Sequence, residues 1–131
     1  MEINIPEVVA EVTARFAEYE RALVENDVPV LEALFRDSPR TIRYGAGENL
    51  HGMDAIREFR RSRPSAGLMR TLERTEITTY GRDVATANTM FRRETAPDKI
   101  GRQSQTWVRF PDGWFVVSAH VSLVPATVPT T

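Results

Sequence analysis

The chain has no cysteine, a single lysine and only two histidines in its 131 residues. Each scarcity closes a class of chemistry. Without cysteine there is no disulfide, no thiolate nucleophile and no Cys-based metal site. His51 and His120 lie far apart and lack a His-x-x-x-His spacing, so no zinc or iron centre is expected and no cofactor is implied. No Gly-x-Ser-x-Gly elbow is present to make a serine hydrolase. Gly45 and Gly47 are too short a run to cradle phosphate before a helix. No apolar stretch approaches the roughly 18 residues of a membrane span. Met1 to Pro6 has neither the basic region nor the apolar core of a signal peptide. The net charge of -1 favours neither nucleic acid nor an acidic membrane as partner. A cytoplasmic location is the default expectation.

What remains is an ordinary globular composition, 41% hydrophobic and 27% charged, in a chain long enough for one domain with its own core. The basic residues are unusual in kind: of 17, all but Lys99 are arginine. Arginine grips carboxylates through a planar fork that lysine lacks. A GC-rich genome produces the same bias; the functional reading is that two or three arginines hold an anionic ligand.

Asn4 is positioned to cap a first helix, with Pro6 in its first turn and Glu7 after it. Val8, Val12, Phe16, Tyr19 and Leu23 then follow at helical spacing and predict an amphipathic helix of about five turns. Asp27 caps a shorter helix carrying Val30, Leu31, Leu34 and Phe35. Residues 40–44 read as a short strand broken by Gly45 and Gly47. A third helix runs from Met53 to about Ser62, and its Arg57, Arg60, Arg61 and Arg63 read mostly as a solvated, dipole-matched face. Only Arg63, beside Pro64, is placed to reach a ligand. Four β runs follow, at about 68–80, 84–95, 100–110 and 114–124. The links between them are short enough for an antiparallel meander. The class is therefore α+β, with a strongly curved antiparallel sheet closed by three N-terminal helices and room for a cavity between. Residues 1–124 form the single domain and 125–131 a frayed tail.

The element order resembles the nuclear transport factor 2-like superfamily. So do the Tyr19-Glu20 and Asn26-Asp27 end of the first helix and the Asp112-Gly113-Trp114 hairpin with His120 and Ser122. Five segments resemble the oxalurate-catabolism, or AtzH-like, family more closely: residues 40–45, Phe59-Arg60, Arg63 to Leu68, Thr79 to Asp83, and Gly101 to Trp107. That resemblance spans about Ile5 to Leu123. It implies a cone-shaped fold, a homodimer, and a role beside bacterial breakdown of oxalurate or of carboxylated ureas from triazine rings. It supplies no settled reaction.

His120 is the first candidate for chemistry, because histidine titrates nearest neutrality. Along 114–123, Phe115, Val117, Ala119, Val121 and Leu123 occupy one face, and Trp114, Val116, Ser118, His120 and Ser122 the other. The polar face either lines a pocket or meets a partner. A two-residue Asp112-Gly113 turn places Gln105 opposite His120; a three-residue Pro111-Asp112-Gly113 loop places Ser104 there. Arg43 is a carboxylate clamp or the ion-pair partner of a helix acid such as Glu20. Tyr19 belongs to the apolar stripe, with its hydroxyl free to reach a cavity. Asn88, if buried, needs partners that a ligand can supply. Gln103, Gln105 and Trp107 share one strand face that suits either a ureido group, which needs donors and acceptors, or a ladder at a dimer face. The expected ligand is a small anionic or ureido molecule. Three roles remain open: acid–base catalysis by His120, ligand binding in support of a neighbouring amidase, and dimerisation alone.

Overall fold

The structure, a computed structural model, describes residues 1–131. The predicted apolar stripe is the buried face of α1, Pro6–Val24, with Val8, Val12, Phe16, Tyr19 and Leu23 all inside. Its start differs from expectation. Ile5 holds the cap position and makes no side-chain cap bond. Asn4 instead adopts a left-handed φ of 61° and docks on a strand edge: its N–H donates to the Thr79 carbonyl at 3.0 Å and its Oδ1 accepts from the Thr79 N–H at 2.9 Å. Asp27 does cap α2, Val28–Leu34, accepting from the Val30 N–H at 3.4 Å. Phe35 leaves the helix and bridges to Val116.

The short strand is β1, Ile42–Tyr44. A partner strand not anticipated from sequence, β2, Asn49–His51, pairs with it antiparallel. α3, Met53–Ser62, follows. The meander is β3, Thr71–Tyr80; β4, Val84–Arg92; β5, Lys99–Phe110; and β6, Gly113–Pro125. The strands form one six-stranded sheet in the order β2-β1-β6-β5-β4-β3. β1 lies parallel to β6, so the sheet is mixed rather than wholly antiparallel. The chain reaches that position only by passing through α3 and the whole meander. β6 extends to Pro125, and the Ala126 N–H still donates to the Asp98 carbonyl at 2.8 Å.

The closing hairpin follows neither predicted turn. Phe110 pairs with Gly113, leaving Pro111-Asp112 as the turn, so Arg109 faces Trp114 and Trp107 faces Val116. Then Thr106 faces Ser118, and Val117 is left over as a bulge. From there Ser104 faces His120 and Arg102 faces Ser122, the partners expected of the three-residue loop. A bulge exchanges the two faces of a strand. Trp114 and Val116 are therefore inside before it, and Ala119 and Val121 inside after it. His120 is carried outward.

Helices and sheet enclose one core, to which the sheet contributes the small side chains of Ala85, Ala87 and Ala119 beside Trp107, and α1 contributes Phe16 and Tyr19. Gly101 serves a similar purpose at the far end of β5, where the Phe91 ring occupies the space of a Cβ. Gly101→Ala is expected to displace that ring and destabilise the protein by about 1–3 kcal/mol, measurable by urea unfolding. An unchanged midpoint would mean that the ring moves freely.

Candidate anion-binding site

Strand alternation on the concave face brings together Gln103 and Gln105 of β5, Val121 and Ala119 of β6, and Arg43 of β1. Gln103 pairs with Val121, Gln105 with Ala119, and Ala119 with Arg43. Above them, α1 supplies Tyr19 and Glu20, and α3 supplies Arg60. Beside them opens a cavity of about 290 Å³, whose wall includes Arg43, Glu48, Phe59, Arg63, Arg93 and Val121; Arg60, Tyr19, Gln103 and Gln105 lie in the packed interior and do not line it. A larger hollow of about 760 Å³ runs along α1, but no charged residue lines it.

Five arginines converge here, with Glu20 and Glu48 as their paired acids. Arg70 is fully buried and holds Glu20 with both prongs, at 2.9 and 2.6 Å. Arg43 donates to Glu48 at 2.6 Å. It is thus an ion-pair residue as well as a cavity wall, but its acid is Glu48 rather than Glu20. Three arginines are left over. Arg60 is 1% exposed, and its Nε, Nη1 and Nη2 all lack a hydrogen-bond partner. Arg63 Nε and Nη2, Arg93 Nε and Arg43 Nε are also buried and unpaired. Phe35 stacks under the Arg60 guanidinium, 4.3 Å from ring centroid to carbon. That contact is worth about 2 kcal/mol when desolvated, far less than an ion loses on leaving water.

The electrostatics follow from this crowding. Burial, then the charges of Arg43 and Arg63, pull Arg60 down from 12.5 to about 10, which leaves it charged at neutral pH. Arg63 is lowered by burial and then by Arg43, and Arg93 by burial and then by Arg70. Burial pushes the Tyr19 hydroxyl up, but Arg60, Arg43 and Arg70 together outweigh it and hold the group below its usual 10.0. Absorbance titration in a Tyr44→Phe, Tyr80→Phe background is expected to show this phenol ionising below its free value, and an anion in the cavity should raise it. With the folded pKa below the unfolded one, Tyr19 contributes stability only as pH rises through its folded value, and fully above about 10. Titration at or above the free value would contradict the assigned field.

The sequence-predicted residues separate into two groups. Tyr19, Arg43, Gln103, Gln105 and Trp107 are buried on the concave side. His120, Asn88 and Ser122 point to the convex side. Of the two alternatives for the polar face, the Val117 bulge turns His120 to the outer one: the residue is exposed, with its ring edge-on to Tyr44 at 6.2 Å. The Tyr44 hydroxyl lies 3.1 Å from Nε2 of His51. Asn88 is exposed and accepts from Ser104 Oγ at 2.6 Å, and Ser122 Oγ accepts from Arg102 Nε at 3.3 Å. Arg60, read from the sequence as part of a solvated helix face, is instead buried; Arg70 and Arg93 were not singled out. For Arg60 a signal exists: with Met53 and Ile56 it completes an apolar stripe at spacings of three and four, and all three are buried.

The AtzH-like family model matches residues 1–127. The chain belongs to the AtzH-like family. Among solved structures, a DUF3225-family protein from Pectobacterium atrosepticum is 57% identical, with a TM-score of 0.91 over 93% of this chain and 94% of its own. A cystatin-like fold protein from Burkholderia xenovorans LB400 is 50% identical, with a TM-score of 0.91 over 95% of this chain and 98% of its own. A ketosteroid isomerase-like protein from Erwinia carotovora atroseptica, 18% identical with a TM-score of 0.76 over 92% of this chain and 98% of its own, shares the fold alone. The AtzH-like chain thus has the nuclear transport factor 2-like, or cystatin-like, α+β fold. No curated protein matches it in sequence. No helix is long and apolar enough to cross a membrane.

Proposed function

We propose that this protein binds a compact carboxylate-bearing anion, with oxalurate or a carboxylated urea as the ligand, in the arginine-lined cavity, and so serves bacterial ureido-acid breakdown. The observation that carries this reading is the cavity wall, where Arg63 and Arg93 hold buried guanidinium nitrogens with no hydrogen-bond partner. Buried donors left without partners are destabilising, and a carboxylate satisfies two at once. Arg60, buried close to Arg43 and Arg63, adds further positive charge behind this wall. If the bound anion reacts, Tyr19 is the group placed to move a proton, since its hydroxyl lies among Arg60, Arg43 and Arg70, which stabilise the phenolate. His120 lies outside the cavity. With Tyr44 and His51 it forms part of an outer strand face that suits the contact of a homodimer or of a partner amidase.

A melting-temperature screen of oxalurate, carboxylated ureas and small dicarboxylates tests the proposal. At a hundredfold excess over Kd the ligand is expected to stabilise by about 2.7 kcal/mol, on the order of 10 °C for a domain of this size. His120→Gln should show the same shift. Product analysis on the stabilising compounds separates an enzyme from a binding protein. No shift with any of them would sink the proposal.

A further inference from the structure

The wall of the cavity beside Arg43 is not made of cations alone. Glu48 ends the loop between β1 and β2 and shares that wall with Arg43, Arg63 and Arg93. Its surroundings fix where the carboxylate sits. Oε1 accepts from Arg43 Nη1 at 2.6 Å, and Oε2 accepts from the Gly47 N–H at 3.2 Å. Gly45 lies against it on a further side, where a Cβ would fall on Oε1 of Glu48. Gly45 does not have a positive φ, so glycine is needed there for space and not for backbone conformation. A carboxylate offers about four acceptor sites, and the bonds to Arg43 and Gly47 leave the others free. The side chain is 20% exposed and faces the cavity. The cavity therefore has two unlike parts. Arg63 and Arg93 carry unpaired guanidinium nitrogens, whereas Arg43 is already neutralised by Glu48. Burial does most to lower the Arg63 pKa, and Glu48 opposes that lowering, so the field of this carboxylate reaches the cationic wall too.

We infer that Glu48 is a specificity-determining residue: it accepts the N–H groups of a ureido ligand whose carboxylate lies against Arg63 and Arg93, and it repels the second charge of a dicarboxylate. This rests on the anion-binding reading above and deepens it, since arginines alone would favour whichever ligand carries more negative charge. A ureido group presents N–H donors beside a carbonyl acceptor, which matches the Glu48 carboxylate beside the Arg43 guanidinium. A second carboxylate at the same place would set oxygen against oxygen and bring two negative charges together away from bulk water.

Calorimetric titration with ureidoacetate and succinate tests the inference. The two have the same shape, but succinate carries CH2 in place of N–H and O⁻ in place of the terminal NH2. The wild-type protein is expected to prefer ureidoacetate by at least about tenfold, the scale of one charge-assisted hydrogen bond. Glu48→Gln keeps the size of the side chain, removes its charge, and should narrow that ratio severalfold, mainly through tighter succinate binding. If Glu48 served only to hold Arg43, both ligands would weaken together and the ratio would not change. Gly45→Ala keeps every charge, but its methyl group displaces the Glu48 carboxylate, so it should narrow the ratio as well. It decides the matter if Glu48→Gln does not fold. An unchanged ratio in the folded variant, or a wild-type protein without the preference, overturns the inference while leaving the anion site intact. Binding of neither ligand by the wild-type protein also overturns it, and if oxalurate is not bound either, the anion-binding reading falls with it.

Discussion

Arg60→Met is expected to raise the melting temperature of the ligand-free protein while weakening its affinity for anions, since one positive charge beside Arg43 and Arg63 is lost. The guanidinium is 1% exposed and has no acid to pair with, and burial together with Arg43 and Arg63 pulls its pKa down to about 10 against the opposing attraction of the Tyr19 hydroxyl. Methionine fills a comparable volume and carries no charge to desolvate. Replacing buried charge with apolar side chains typically gains about 1–4 kcal/mol. Loss of the stacking on Phe35 offsets up to about 2 kcal/mol of that. The net expectation is a gain of about 1–2 kcal/mol, or roughly 5 °C, seen by scanning calorimetry. A fall in melting temperature would mean that Arg60 is a satisfied structural residue, paired through ordered water. Natural sites often keep such destabilising groups because function needs them.

The opposite result is expected of Glu20→Gln. Glu20 neutralises Arg70, whose side chain is 1% exposed, through two bonds of 2.6 and 2.9 Å. Removing one partner of a buried pair leaves the other charge uncompensated, a loss of about 3–5 kcal/mol. The Glu20 side chain is 18% exposed, so water reaches the site and the lower end, about 3 kcal/mol, is expected. That is on the order of 10 °C in melting temperature. The same substitution adds a positive excess to the cavity and should lower the Tyr19 pKa further, since Glu20 now opposes that lowering. Glu25→Gln, in an exposed pair with Arg21, is the control and should leave the melting temperature unchanged. Equal effects from the two substitutions would refute the buried role of Glu20.

The two variants draw on features that were unequally legible in the sequence. α1 was readable because five apolar residues recur at helical spacing, and α2 because Asp27 caps it. The four long strands were readable because Gly81, Pro97 and Pro111 mark their ends. β2 was not, because Asn49–His51 is too short to show alternation. Nor was the parallel β1–β6 pairing, a contact between segments more than seventy residues apart. The face of His120 stayed open for one physical reason: Val117, a β-branched residue with nothing to mark a bulge, shifts the register and exchanges the strand faces. Arg60 was overlooked because charge on a helix reads as solvent-facing, although its spacing from Met53 and Ile56 put it on the buried stripe. The burial of Gln103, Gln105 and Trp107 depended only on their shared parity along β5. The partner of the Gln103 amide is Arg70, thirty-three residues away, which no local pattern could bring to it.

A crystal structure with oxalurate or oxalate soaked into the protein tests the central claim most directly. The account predicts carboxylate oxygens about 2.7–3.2 Å from the Arg63 or Arg93 guanidinium, with the convex face around His120 empty. An anion bound beside His120, or a filled cavity in which Arg63 and Arg93 both remain unpaired, would contradict it.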